Sequence, residues 1–221
     1  MPERRNQCRI CLRTKNTHSP GRKRTAMHWR CCENSTEANV STTSSSAATA
    51  QREATRAAYG LVNKVTEDFG RRCLLARRLI ERGTRIVQVW SGPQGAAENW
   101  DNHGSINTEL PAIASTVDSP ISALLGDLKS RGLLADTLVV WTTEFGRTPF
   151  TQGSAGRDHN GGSFVTWLAG AGIKPGVAHG ASDDLGFKAE QGVTWCYDLH
   201  ATILHLMGID PHTLVRDPLN R

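Results

Sequence analysis

Three short clusters in the sequence combine carboxylates, imidazoles and guanidinium groups, which proteins use to bind divalent metals and oxyanions. They are Asp101/His103, Glu144/Arg147 and Arg157/Asp158/His159. Mixed oxygen and nitrogen donors of this kind suit a divalent ion, such as zinc or manganese, in a hydrolytic site. We expect the side chains of Asp101, His103, Glu144 and His159 to converge in one pocket. For each cluster taken singly, a solvated or hydrogen-bonded loop remains the alternative interpretation.

Two arginines in these clusters are candidates for binding an anionic ester. The planar guanidinium groups of Arg147 and Arg157 can contact a phosphate or sulfate through two parallel hydrogen bonds. The alternative is that each arginine pairs with Glu144 or Asp158 and holds a loop. The sequence assigns no catalytic nucleophile.

Apolar periodicity indicates the elements that must position these clusters. Helices are predicted over 66–82, 120–131 and 197–207, with interruptions of the helical pattern at Pro111 and Pro120. Strands are predicted over 85–90, 137–142 and 163–169. This alternation predicts an α/β fold with a mostly parallel sheet flanked by helices. In such sheets ligands bind beyond the carboxyl ends of the strands, where the three clusters fall.

The N-terminal fifth of the chain differs in composition from the rest. Residues 1–30 contain nine Lys or Arg against one acid, Glu3, so this segment carries +8 while the whole chain carries +5. We therefore predict a disordered basic tail over 1–34, a Ser/Thr/Ala-rich linker over 35–51 and a folded domain over 52–221. No apolar run is long enough for a membrane span or a signal-peptide core, so a cytoplasmic location is expected for the chain as written.

The basic tail suggests a competing function. Cys8 and Cys11, followed by Cys31 and Cys32, could supply zinc ligands among lysines and arginines suited to nucleic acid. The adjacent Cys31-Cys32 pair replaces the usual second C-x-x-C, so this reading is the weakest of those considered.

From about Arg52 onward the sequence resembles the DUF1501 family, a sulfatase-like group of the alkaline-phosphatase superfamily. The resemblance is carried by FGRRCLLARRLIERGTRIVQV, WDNHG, LLADTLVVWTTEFGRTP, GRDHNGGSFVTWLAGAGIKPG and DLHATILHLMGID. It implies a partial alkaline-phosphatase-like fold corresponding to the C-terminal half of a full family member. The half that would supply the nucleophile and a further Asp ligand is then expected to be missing.

The resemblance implies a metal-dependent hydrolase of sulfate or phosphate esters. It assigns Asp101, His103, Glu144 and His159 to a zinc, manganese or calcium site, and it places Phe145 where a relative usually has a His or Asn ligand. The expected partner is an anionic ester, and binding to membranes or nucleic acid is not expected. A truncated domain of weak or no activity is predicted, with a non-catalytic remnant as the alternative. Export of full-length members, the substrate and the oligomeric state are left open.

Overall fold

The computed structural model describes residues 9–14, 42–92 and 100–212 of the chain. Its helices are α1 (Thr42–Ala58), α2 (Glu67–Glu81), α3 (Ile106–Ser130) and α4 (Cys196–Leu206). Its strands are β1 (Arg9–Thr14), β2 (Ile86–Trp90), β3 (Thr137–Thr142), β4 (Gly146–Arg147), β5 (His159–Asn160), β6 (Trp167–Ala169), β7 (Ala181–Ser182) and β8 (Ala189–Gln191). The predicted mixture of helices and strands is confirmed.

The main sheet has four strands in the order β2-β1-β3-β6, and each neighbouring pair is antiparallel. Arg9 lies opposite Trp90 on one side and opposite Thr142 on the other. Because β2 and β3 are both antiparallel to β1, they run in the same direction. Their carboxyl ends therefore meet at one edge of the sheet, which places the loops after them close together.

The mostly parallel sheet that we predicted is wrong, since the paired strands described here are antiparallel. A parallel pair requires a crossover of a dozen or more residues, usually a helix. The segment between β3 and β6 contains the β4–β5 pair and no helix, so β6 returns antiparallel to β3. The connection through α3 makes β3 run in the same direction as β2. The two strands do not pair, however, because β1 lies between them.

Two of the predicted N-terminal boundaries also need correction. Residues 9–14, predicted as part of a disordered tail, form the strand between β2 and β3. The regional excess of charge concealed a short apolar run, Ile10-Cys11-Leu12, whose backbone has ladder partners on both sides. Helix α1 begins at Thr42, inside the predicted linker, and continues through the good helix formers Ala, Gln and Arg. The rest of 1–41 lies outside the described residues.

Helices α2 and α3 pack together over one face of the sheet. Their buried residues join Val89 and Val139 in a single apolar cluster, in which Cys73, Leu124 and Leu128 are fully buried. Helix α3 continues through Pro111 and Pro120, where we predicted interruptions. Pro120 is itself fully buried, so packing of this helix offsets the lost backbone hydrogen bond.

A charged network crosses the boundary between α2 and α3. Asp127 on α3 accepts a hydrogen bond of 3.0 Å from the Tyr59 hydroxyl, and its other oxygen accepts one of 2.5 Å from Arg131. Arg77, whose side chain is buried, forms ion pairs with Asp127 and Glu81. Burial alone raises the pKa of Asp127, but these hydrogen bonds and positive charges outweigh it and lower the pKa below its ordinary value.

The opposite face of the sheet is covered by a smaller cluster. Leu138 and Val140 of β3 pack there with Ala171, and α4 contributes Ile203 and Leu206. None of the helices in the described ranges combines the length and hydropathy that a transmembrane span requires.

Candidate metal centre

The first part of the candidate site is the loop that follows β2. The Trp100 indole donates a hydrogen bond of 2.8 Å to Ser91 Oγ, which ties this loop to the end of the strand. The next residues make a tight turn, in which the His103 amide donates to the Asp101 carbonyl at 2.9 Å. Asn102 between them is buried, so the backbone that carries the Asp101 and His103 side chains is held in place.

The second part is the hairpin that follows β3. Arg147 of β4 lies opposite His159 of β5 in an antiparallel pair, and opposite residues in such a pair project from the same face. Gly146 is needed here because a Cβ at this position would lie 2.2 Å from the Ser163 carbonyl oxygen. The hairpin thereby directs an arginine and a histidine to one side.

The tip of this hairpin docks on the loop after β2. The Arg157 amide donates to the Asn102 carbonyl at 2.9 Å, and the Ile106 amide donates to the Ala155 carbonyl at 3.2 Å. Gly156 lies so close to this loop that a Cβ on it would be 1.8 Å from the His103 carbonyl oxygen. These backbone contacts join two segments that are some fifty residues apart in the sequence.

Docking brings three predicted metal ligands into one group. Asp101 Oδ1 is 2.8 Å from His103 Nε2 and 3.0 Å from His159 Nε2, and the two Nε2 atoms are 3.0 Å apart. One ligand atom from each residue lies within 4.8 Å of the others. Asp101, His103 and His159 are all partly exposed, so an ion and a substrate could reach the group from solvent.

A fourth side chain, Gln152 at the hairpin tip, orients the His103 ring. Its Oε1 atom contacts His103 Nδ1. This contact holds the ring with its other nitrogen, Nε2, facing the carboxylate oxygen of Asp101.

Arg147 neutralises the group from one side. Its guanidinium donates to Asp101 Oδ1 at 2.7 Å, to the Trp100 carbonyl at 2.9 Å and to the Arg157 carbonyl at 3.2 Å. Burial alone raises the pKa of Asp101, but hydrogen bonds from Arg147 and His159 and the charge of Arg147 lower it below its ordinary value. Asp101 is therefore a carboxylate at neutral pH.

The structure leaves Glu144 outside this group. Its side chain is exposed, and its carboxylate accepts a hydrogen bond of 3.2 Å from Thr143. Phe145, the next residue, instead packs its ring against His159, with 4.2 Å between ring centroids. The Phe145 ring thus packs against a candidate ligand, His159, but has no atom that could bind a metal itself.

The two arginines predicted to bind an anion are engaged within the protein. Arg147 pairs with Asp101, and within the part of the chain that the structure describes it forms no ion pair with Glu144 or Asp158. The guanidinium of Arg157 donates to the carbonyls of Ala155 and Gly156, which stiffens the hairpin tip.

Sequence reasoning missed three residues that support the site. Gln152 contacts His103, Asn102 accepts the hydrogen bond from the Arg157 amide, and Glu109 accepts one of 3.0 Å from the Ser105 amide at the start of α3. Only Glu109 had a detectable signal, since an acid in the first turn after a serine is typical of a helix start. Gln152 and Asn102 act through tertiary contacts.

The fold and this group define a mixed helix-and-strand domain with three side chains able to hold a metal ion. The chain belongs to the DUF1501 family, described as "Protein of unknown function (DUF1501)", whose sequence profile matches residues 2–221. No curated protein and no solved structure matches it. The match begins at residue 2, so the restriction of the resemblance to residues 52–221 is not supported. The family sequence includes the segment that forms β1.

Proposed function

We propose that this chain is a metal-dependent hydrolase of sulfate or phosphate esters, with a divalent ion held by Asp101, His103 and His159. The observation that carries the proposal is the convergence of one carboxylate oxygen and two imidazole nitrogens from two separate segments. Its sulfatase-like, alkaline-phosphatase-related character comes from the sequence resemblance and is part of the proposal.

The spacing of the donor atoms is close to that of a shared ion. Two ligand atoms at ~2.0–2.1 Å from one tetrahedral ion are separated by about 3.3–3.4 Å. The three separations here are 2.8, 3.0 and 3.0 Å, so the side chains would move apart by roughly 0.3–0.6 Å to hold a zinc ion. Two imidazoles and one carboxylate also form a donor set found in catalytic zinc sites, where a further coordination position stays open.

The close approach of His103 to Asp101 also agrees with a bound cation. His103 Nε2 and Asp101 Oδ1 face each other at 2.8 Å, and Gln152 occupies the other nitrogen of the ring. Two electron-rich acceptors at this distance repel each other unless a proton or a metal cation lies between them. A divalent ion would satisfy both atoms and His159 together.

The chemistry follows from the residues around the group. A bound divalent ion would supply Lewis-acid polarisation of the ester and would activate water at neutral pH. Asp101 and the two histidines would hold the ion, and their partial exposure would admit substrate from solvent. Arg147, whose guanidinium borders the same oxygen, supplies positive charge beside the position that an anionic ester would occupy.

A second candidate is metal binding without turnover. It is favoured by the hydrogen bonds of Arg147 and Arg157, which are directed at protein oxygens and would have to rearrange to bind an ester. It also agrees with the sequence expectation of weak or no hydrolysis of aryl sulfates and phosphates, and the sequence assigns no catalytic nucleophile.

The test begins with metal binding by the full chain. Calorimetric titration with zinc, manganese and calcium should show binding near one ion per chain, which is lost in Asp101→Asn and in His159→Ala. The matched control is His205→Ala, because His205 is an exposed histidine on α4 and does not belong to the group.

Turnover of a chromogenic sulfate and a chromogenic phosphate then separates the two candidates. Activity that depends on metal and disappears in Asp101→Asn and His159→Ala supports the hydrolase. Binding without turnover supports the second candidate. Absence of metal binding by the unaltered chain would refute both.

A further inference from the structure

We propose that a recess beside the metal group binds the aromatic ring of an aryl ester, with Phe145 as its wall and Gly161 as its open side. The recess lies on the face of the β4–β5 hairpin that carries Arg147 and His159. For the anionic end of the ester this inference rests on the proposed function, and it adds the chemistry of the alcohol end.

The register of the hairpin places Phe145 and Gly161 on this face. Arg147 lies opposite His159 in the antiparallel pair, and in the same register Phe145 falls opposite Gly161. Residues two apart in a strand project from the same face, and so do residues opposite each other in an antiparallel pair. The face therefore carries two successive pairs, an arginine with a histidine and a phenylalanine with a glycine.

Phe145 forms one wall of the recess. Its ring centroid lies 4.2 Å from that of His159, with 33° between the ring planes, and the guanidinium carbon of Arg147 lies 5.9 Å from it. The Phe145 side chain is only half-buried, so part of its ring faces solvent beyond these contacts. A second aromatic ring could pack on that part in the edge-to-face or offset geometry that such rings prefer.

Gly161 keeps the space opposite this wall open. Among the residues that the structure describes, no atom lies within 4 Å of the position that a Cβ on Gly161 would take. At Gly146 and Gly162, by contrast, a Cβ would lie within 3 Å of a backbone oxygen. The φ of Gly161 is not left-handed either. Neither backbone conformation nor packing therefore requires a glycine at 161, and the missing side chain leaves room for a ligand.

The two pairs of residues match the two ends of an aryl ester. Successive residues on one face of a strand are about 6.5 Å apart. A ring in the recess would therefore place the anionic group of the same small ester beside Arg147 and His159, where the ion is proposed to bind. Positive charge attracts the sulfate or phosphate there, whereas packing on Phe145 removes the uncharged ring from water.

Two phosphonates test the recess, because they share one anionic group and contain no ester bond to hydrolyse. Phenylphosphonate carries the ring and methylphosphonate lacks it. Calorimetry on the zinc-loaded full chain should show about 10-fold tighter binding of phenylphosphonate.

Gly161→Leu fills the recess without removing any side chain. It should reduce the preference for phenylphosphonate to less than about twofold, because the ring loses its site, and it should leave the affinities for zinc and methylphosphonate unchanged. The matched control is Gly126→Leu, since Gly126 is an exposed glycine of α3 with open space around a Cβ and no left-handed φ. This control should keep the full preference.

Phe145→Ala removes the wall and should lower phenylphosphonate affinity about fivefold. The matched control is Phe164→Ala, because Phe164 is 43% exposed and lies on the other face of the hairpin. A Cβ on Gly146, which projects to that other face, would lie 3.2 Å from Phe164 Cβ. Phe164→Ala should leave both phosphonate affinities unchanged.

Equal affinities of the zinc-loaded unaltered chain for the two phosphonates, or a preference that survives in Gly161→Leu, would overturn the inference. The recess is also tested without metal, by NMR on the metal-free full chain. Phenylphosphonate at millimolar concentration should shift the amide resonance of Gly161, and methylphosphonate should not. A chain that shows this shift but binds no zinc would refute the proposed function and retain the recess, whereas a chain that shows neither would refute both.

Discussion

Replacing Gly156 with alanine should separate the hairpin tip from the loop that carries Asp101 and His103. Gly156 is buried, and its φ does not lie in the left-handed region, so alanine adds steric bulk without backbone strain. The new Cβ would lie 1.8 Å from the carbonyl oxygen of His103 and 2.3 Å from its carbonyl carbon. The neighbour is backbone, which cannot swing aside.

The size of the effect follows from these distances. Nonbonded heavy atoms pack at about 3.5 Å, so the two segments must separate by roughly 1.5 Å. Such a shift breaks the bonds of 2.9 Å from Arg157 to Asn102 and 3.2 Å from Ile106 to Ala155. Two backbone hydrogen bonds at ~0.5–1.5 kcal/mol each give a loss of about 1–3 kcal/mol. For a chain of this size, the Tm should fall by roughly 2–12 °C.

Thermal denaturation followed by circular dichroism measures the loss, and zinc titration measures its effect on the site. Gly161→Ala is the matched control, because Gly161 adjoins β5, has nothing within 4 Å of a new Cβ and has no left-handed φ. It should leave both measurements nearly unchanged. A Gly156→Ala chain with the same Tm and zinc affinity as the Gly161→Ala chain would refute the docking of the hairpin tip.

Other parts of the structure give further expected outcomes. Asp127 has a pKa below its ordinary value of about 3.9, so its contribution to stability is complete above that pH and is lost as pH falls through the folded-state pKa. Unfolding in urea between pH 6 and pH 3 should therefore show a smaller acid-induced loss for Asp127→Asn than for the unaltered chain, and equal losses would contradict the assignment. Leu124→Ala, at a fully buried position on α3, should lower the free energy of unfolding by about 2–5 kcal/mol in the same assay, whereas Leu110→Ala, at an exposed position of that helix, should lower it by less than ~1 kcal/mol. Burial raises the pKa of the Cys73 thiol to about 12, so iodoacetamide at pH 8 should modify the exposed Cys196 and spare Cys73 in the folded chain, as read by peptide mass spectrometry; rapid modification of Cys73 would contradict its burial.

The sequence predicted most of the individual elements because apolar periodicity is a local property. Helix α2, strand β3 and helix α4 occupy nearly the predicted ranges. The continuous helix α3 was missed because tertiary burial of Pro120 offsets a local breaking tendency, and no window of sequence contains that packing partner.

Strand pairing was the larger failure. Periodicity identifies a strand but does not identify its neighbours, and the neighbours of β3 are β1, more than one hundred residues earlier, and β6. Strand β1 was not predicted, because the segment around it is strongly basic and was taken as disordered. Its place between β2 and β3 depends on pairing with both, which only the assembled sheet supplies.

The sequence by itself determined the residue types of the candidate site and their placement after buried strands. That was enough to select Asp101, His103 and His159 as candidate metal ligands, because the ability of a carboxylate or an imidazole to bind a metal depends on the residue type. Only the tertiary structure decided that Glu144 stays outside, that Arg147 pairs with Asp101, and that Gln152 orients His103. Those outcomes depend on docking of the hairpin tip at Gly156, since a metal-binding group requires donor atoms about 3 Å apart, and such proximity between distant segments is fixed by backbone packing.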